Sequence, residues 1–169
     1  FPTLEAEEVA IAFELPEGSP IEKTKEIVEM IESEALILKE EINSTSPEII
    51  ISNVLTTTGQ QYYTDVESTK GPGGFAFKSD STPHLGEVLI ILTPADDRWG
   101  LTGAYDIIDI LRDRIGTIPG VSRLNYSANI FTAGKPIDFE FKGTNYESLN
   151  SAVEKTKVLL SSFSGIYDL

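Results

Sequence analysis

The sequence predicts an α+β fold. Short runs that alternate apolar and polar residues recur along the chain, and between them apolar residues recur at three- and four-residue spacing. One run, Glu87 to Thr93, is apolar on both faces and is expected at the centre of a sheet.

Val9, Ile11, Phe13 and Leu15 alternate with Ala10, Ala12 and Glu14, the pattern of a half-buried strand. Pro16-Glu17-Gly18 breaks it. Ser19-Pro20-Ile21-Glu22 then reads as a helix start, with Ser19 as N-cap, Pro20 in the first helical position and Glu22 completing a capping box. Ile21, Thr24, Ile27, Val28, Ile31, Ala35 and Leu38 follow at helical spacing, with Lys23, Lys25, Glu26, Glu29, Glu32 and Lys39 opposite. Asn43 to Pro47 reads as a loop, and Glu48 to Leu55, rich in Ile, as a second strand. After the third strand, Pro94 to Gly100 is a turn region. A second helix is expected from Thr102 to Ile115, ended by Gly116. Pro119-Gly120 turns the chain into a fourth strand with Leu124, Tyr126, Ala128 and Ile130 on one face.

The predicted order is β-α-β-β-α-β, the split βαβ or ferredoxin-like arrangement, with both helices on one face of an antiparallel sheet. A fresh unit then begins. Ile137, Phe139 and Phe141 alternate with Asp138, Glu140 and Lys142. Thr144-Asn145-Tyr146-Glu147 reads as a second capping box, and Leu149, Ala152, Val153, Thr156, Leu160 and Phe163 form a helical stripe. Ile166 to Leu169 opens another strand. The expected division is residues 1–133 as one ferredoxin-like subdomain and 134–169 as the opening β-α-β of a second. The start at Phe1-Pro2, with no initiating Met, reads as an excised or processed segment.

Composition narrows the function. The 169-residue chain carries a formal net charge of −14, which argues against nucleic acid and against docking on an anionic membrane surface. It is compatible with attracting cationic solutes, although solubility alone accounts for it. Absence of cysteine removes disulfides, thiolate catalysis and Cys-type zinc sites. The longest purely apolar run, Val88 to Leu92, is far short of a membrane span.

Catalytic chemistry is not expected. His84, the sole histidine, reads as a solvated loop residue and is the only base a Ser-His-Asp triad could use. Glu5, Glu7 and Glu8, the pair Glu40-Glu41 and the pair Asp96-Asp97 read as solvated acidic faces, since adjacent carboxylates do not converge on one ion. Asp106, Asp109 and Asp113 share a helix face near Arg112 and Arg114, which suits a surface charge network. Gly71-Pro72-Gly73-Gly74 neither follows a strand nor opens a helix, so it fails as a phosphate cradle. Asn43-Ser44-Thr45 and Asn125-Tyr126-Ser127 match the glycan acceptor pattern, a frequent chance match. No cofactor and no metal are implied.

Residues 56–83 differ from the rest. They are rich in Thr, Gly, Ser and Gln with almost no periodicity, and they hold Gly59, Gly71, Gly73, Gly74, Tyr62, Tyr63, Phe75 and Phe77. A long irregular interval inside a domain marks a functional or disordered segment.

The order of motifs resembles a known family. Phe1-Pro2 and an acidic stretch lead into a strand, and Leu15-Pro16-Glu17-Gly18-Ser19 opens a helix. Much later, Gly134-Lys135-Pro136-Ile137-Asp138-Phe139-Glu140-Phe141-Lys142-Gly143 precedes a helix followed by Gly165-Ile166-Tyr167-Asp168. This resembles the large extracytoplasmic loop in the C-terminal half of resistance-nodulation-division (RND) efflux transporters of the acriflavine-resistance type, over essentially the whole chain. The resemblance implies two porter subdomains with a solute cleft between them, opening and closing about a hinge near Thr132-Ala133-Gly134. It implies a gating loop at Gly59, Gly71, Gly73 and Gly74, and Phe75, Phe77, Tyr62 and Tyr63 as substrate-lining residues. Aromatic faces suit flat apolar or cationic molecules.

It further implies a homotrimeric, proton-driven pump in a bacterial inner membrane, with this part in the periplasm beside an adaptor and an outer-membrane channel. The interval departs from the family in being longer and more polar, with Met30 the only methionine of the chain, so the substrate stays open. Two rival readings are a ferredoxin-like ligand-sensing module and a protein-export or lipid-transport relative of the same superfamily.

Overall fold

The computed structural model describes residues 5–61, 82–98, 100–128 and 139–163, and the chain divides into two units, residues 1–132 and 133–169. In the first unit, β1 (Glu8–Glu14) leads to α1 (Ile21–Thr45), β2 (Ile51–Thr58), β3 (Leu85–Leu92), a 3₁₀ turn (Ala95–Arg98), α2 (Ala104–Ile115) and β4 (Arg123–Ser127). The mixed α+β class follows directly from these elements. The sheet order is β2-β3-β1-β4 and every neighbouring pair is antiparallel. Each β-α-β unit is therefore split by a strand of the other: β3 lies between β1 and β2, and β1 between β3 and β4.

Register explains the core. Ile11 faces Val88 and Tyr126, Val9 faces Ile90, and Phe13 faces Gly86 and Leu124. These side chains share the face that packs on Ile27, Val28, Ile31, Ala35 and Leu38 of α1 and on Ala104, Ile107, Ile108 and Leu111 of α2. Alternation along β1 put Val9, Ile11 and Phe13 on that side, and helical spacing did the same for the two helices. Each fully buried Ile, Leu or Phe contributes about 1.5–3 kcal/mol of transfer free energy. The opposite face of the sheet carries Ala10, Ala12 and Glu87, also buried, with half-buried Leu89 and Ile91 and exposed Leu55.

Several expected boundaries move. Helix α1 starts at Ile21 with Pro20 at the N-cap and no side-chain cap. The Ser19 hydroxyl donates instead to Pro16 O at 2.7 Å, closing the turn in which Gly18 takes φ +86°. At its other end α1 runs through the expected loop to Thr45. Asn43 sits in its last turn, accepting the Ile50 and Ile51 amides at 2.9 and 3.1 Å and donating to Ile51 O at 2.9 Å. One amide side chain thus satisfies the backbone where β2 begins; pairing with β3 starts at Ile51, shifts register between Ile51 and Asn53, and then runs through the β-branched Thr56, Thr57 and Thr58.

The two helices are also tied together. Arg114 of α2 holds Glu41 of α1 through Nη1 and Nη2 of its guanidinium, and that pairing keeps the Glu41 carboxyl below its ordinary value. The Arg112 guanidinium lies 4.9 Å from the centre of the Tyr126 ring and pairs with Asp109 at 3.1 Å. Of the expected charge network on α2, the Asp109–Arg112 pair forms, whereas Arg114 turns to α1.

In the second unit the described elements are a single helix, α3 (Tyr146–Leu160), and the irregular stretch before it. Its N-cap is Asn145, whose side chain accepts the Ser148 amide at 2.8 Å, one residue beyond the expected Thr144. Leu149, Ala152, Val153, Thr156 and Leu160 are half-buried and none is fully buried. The described part of the expected strand, residues 139–143, forms no strand: Phe139 and Phe141 remain exposed, and a lone extended segment without a pairing partner has no ladder to hold it. The expected strand at 166–169 lies outside the described residues.

Candidate functional site at the neck of the β2–β3 connection

Of the residues expected to line or gate a substrate site, Gly59 is described. Tyr62, Tyr63, Gly71, Gly73, Gly74, Phe75 and Phe77 lie outside the described residues. The two ends of the connection that carries them are well defined, and they form a neck.

Gly59 ends β2 with φ +85°, the left-handed region that favours glycine. Its amide donates to Leu85 O at 2.7 Å, and its carbonyl accepts the Thr82 amide at 2.9 Å. The Leu85 amide returns to Thr82 O at 2.9 Å. The chain therefore leaves β2 and re-enters β3 at adjacent points. Gln61 crosses this opening: its Nε2 donates to Phe13 O at 2.7 Å and to Gly86 O at 3.2 Å.

Two further bonds fix the returning strand. Thr24 of α1, fully buried, donates its hydroxyl to Pro83 O at 2.5 Å, and the Leu15 amide donates to His84 O at 2.9 Å. The second bond draws His84 onto the end of β1. Its side chain is 15% exposed and lies 4.0 Å from Glu14 Oε1. This corrects the expectation of a solvated loop histidine. The other Glu14 oxygen is 3.4 Å from Arg123 Nη1 on β4. At 4.0 Å the Glu14–His84 contact is too long for a hydrogen bond, and the Glu14 carboxylate lies between His84 and Arg123.

Sequence reasoning placed Thr24 on the inward stripe of α1 but gave its hydroxyl no role. A buried hydroxyl requires a partner, and that requirement was the available signal. Gln61 had none, because only tertiary structure brings it over β1 and β3.

A second polar constellation lies around Arg98. Its side chain is almost wholly enclosed and pairs with Glu5 at 2.8 Å. Burial alone would raise the Glu5 carboxyl, but the bonds from the Ala104 amide and the Arg98 guanidinium outweigh it and hold the group below its ordinary value. Among the described residues no group of three or more His, Asp or Glu could hold a metal ion, and no helix is long and apolar enough to cross a membrane. An open depression on α3 is lined by Glu147, Ser148, Ser151, Ala152 and Lys155. No family model matches the chain, and no curated protein matches it.

Proposed function

We propose that this chain is the extracytoplasmic substrate-binding and gating part of a proton-driven RND efflux transporter. The observation that carries this reading is the ordered set of motifs, from Phe1-Pro2 and Leu15-Pro16-Glu17-Gly18-Ser19 to the Gly134–Gly143 run and Gly165-Ile166-Tyr167-Asp168. The interleaved β-α-β units support it, because they are the topology that the resemblance expects of a porter subdomain.

Under this reading the work is binding and gating, without bond chemistry. Tyr62, Tyr63, Phe75 and Phe77 are the rings that this reading assigns to flat apolar or cationic substrates, and the net charge of −14 raises the local concentration of cations. The bonds at Gly59, Gln61, Thr82 and Leu85 fix the two ends of the connection. Proton flow through the membrane helices of the intact transporter supplies the energy, and trimer neighbours, an adaptor and an outer-membrane channel complete the path.

The test is the reading frame on both sides of this chain. The expected result is a span of about 20 apolar residues before Phe1, and the rest of a second subdomain after Leu169 followed by further spans. A stop codon at Leu169 with no upstream span would overturn the reading and leave the ligand-sensing module in its place.

A further inference from the structure

Arg98 joins two stretches of chain 93 positions apart. Its Nε donates to Thr93 O at 2.8 Å, and its Nη1 to Glu5 Oε1 at 2.8 Å and to Thr102 O at 3.4 Å. Its Nη2 donates to Ala6 O. The same Glu5 Oε1 accepts the amide of Ala104, the first residue of α2, at 2.7 Å. The Gly103 amide is taken by Asp106 Oδ2 at 2.9 Å. Amides in the first turn of a helix lack intrahelical partners and carry partial positive charge. Glu5 therefore serves two elements at once: it pairs with the guanidinium and it caps α2. Two positions further along, Glu7 O accepts the Leu92 amide at 2.8 Å, fastening the same segment to the end of β3.

We propose that Glu5 and Arg98 form a latch that couples the segment leading into β1 to the first turn of α2, so that neither departs without releasing the other. Three features make the coupling strong. The guanidinium is 1% exposed, so losing Glu5 and Ala6 leaves a buried charge short of acceptors. Its planar fork fixes the directions of its donors, so no small rotation replaces those acceptors. The carboxylate is shared, so lifting the lead-in segment uncaps α2 in the same movement. The charged groups gathered there are Glu5, Arg98 and Asp106, with Glu7, Asp96 and Asp97 near in sequence. This latch transmits displacement of the chain before Glu5 to a helix that packs against β1 and β4. It stands whether or not the chain belongs to a transporter.

Amide hydrogen exchange on the 169-residue chain, resolved by NMR, tests the latch. In Glu5→Ala, the Ala104 and Leu92 amides should both exchange about tenfold faster, as expected for loss of a charge-assisted bond. Amides of Val88–Ile90 should keep their rates. Arg98→Lys should accelerate the same pair, since one ammonium cannot reach four acceptors. Should that variant fail to fold, Glu5→Ala decides alone. Acceleration at Ala104 without Leu92 would reduce Glu5 to a local cap and overturn the proposal, as would no change at either amide.

Discussion

The ring of Phe13 lies across Gly86, its antiparallel partner on β3, so closely that a Cβ on Gly86 would sit 2.4 Å from Phe13 Cζ and 2.5 Å from Cε1. Val28 closes the same space from α1, 3.0 Å from that position. Glycine is thus the mould for a fully buried aromatic ring. Gly86→Ala should destabilise the chain by about 1–3 kcal/mol through overpacking. Urea unfolding measures this. Phe13→Leu combined with Gly86→Ala should cost less than the sum of the two single changes, because the clash and the cavity offset each other.

Acid should loosen the chain at the Glu5 latch. The folded carboxyl titrates below its ordinary value, so its contribution to stability is present above about pH 4.3, the unfolded value, and is lost as pH falls through the folded one. The Glu5→Gln variant should lose less stability than the parent over that window in urea titrations at stepped pH. Equal losses would show that Glu5 has no part in the acid response.

The neck bond from Thr24 to Pro83 can be removed without a change of shape. Thr24→Val should lower stability by about 1–2 kcal/mol, leaving Pro83 O without its donor, and Thr24→Ser should retain most of the lost stability. Thermal unfolding of the two variants side by side decides between this and a purely steric role.

Unit autonomy is also measurable. The first unit has its own core, built on Ile11, Phe13, Ile31, Ile90 and Leu111, so a chain of residues 1–132 should unfold cooperatively. Residues 133–169 should not, because α3 has no fully buried side chain and a short isolated helix is marginal in water. Circular dichroism of both pieces reads the outcome.

Under the efflux reading, the 169-residue chain should bind a cationic amphipathic dye weakly, followed by dye anisotropy. Phe75→Ala with Phe77→Ala should weaken that binding by roughly tenfold if each ring stacks on the dye. Unchanged affinity would remove these rings from the site.

Much of the fold was legible in the chain. Val9, Ile11 and Phe13 announced β1 by alternation, and the apolar run Val88 to Leu92 announced a central strand, because period and hydrophobicity are local properties. Several of the errors fall where a side chain made a non-local or competing bond. Asn43 looked like a loop residue because its service to Ile50 and Ile51 requires the fold. Ser19 looked like a helix cap because nothing local shows its hydroxyl turning to Pro16. The candidate site was legible as an irregular interval, whereas its anchors, Gln61 and Thr24, are defined by partners 48 and 59 positions away. The Glu5–Arg98 pair was invisible for the same reason, with Glu5 read as part of an acidic surface.

The interleaved sheet also governs how the chain can be made. β1 precedes the other strands of its sheet in the chain, yet its partners are residues 85–92 on one side and 123–127 on the other. Until residues 85–92 have been synthesised, Ile11 and Phe13 have no sheet neighbours, and until 123–127 follow, the apolar stripe of α1 has no complete surface to cover. Long-range pairing of this kind slows folding and leaves an unpaired, sticky strand on the nascent chain. Translation speed through residues 93–127 should therefore influence the yield of folded protein more than speed through α1, and synonymous slow codons placed in the two stretches offer a direct comparison.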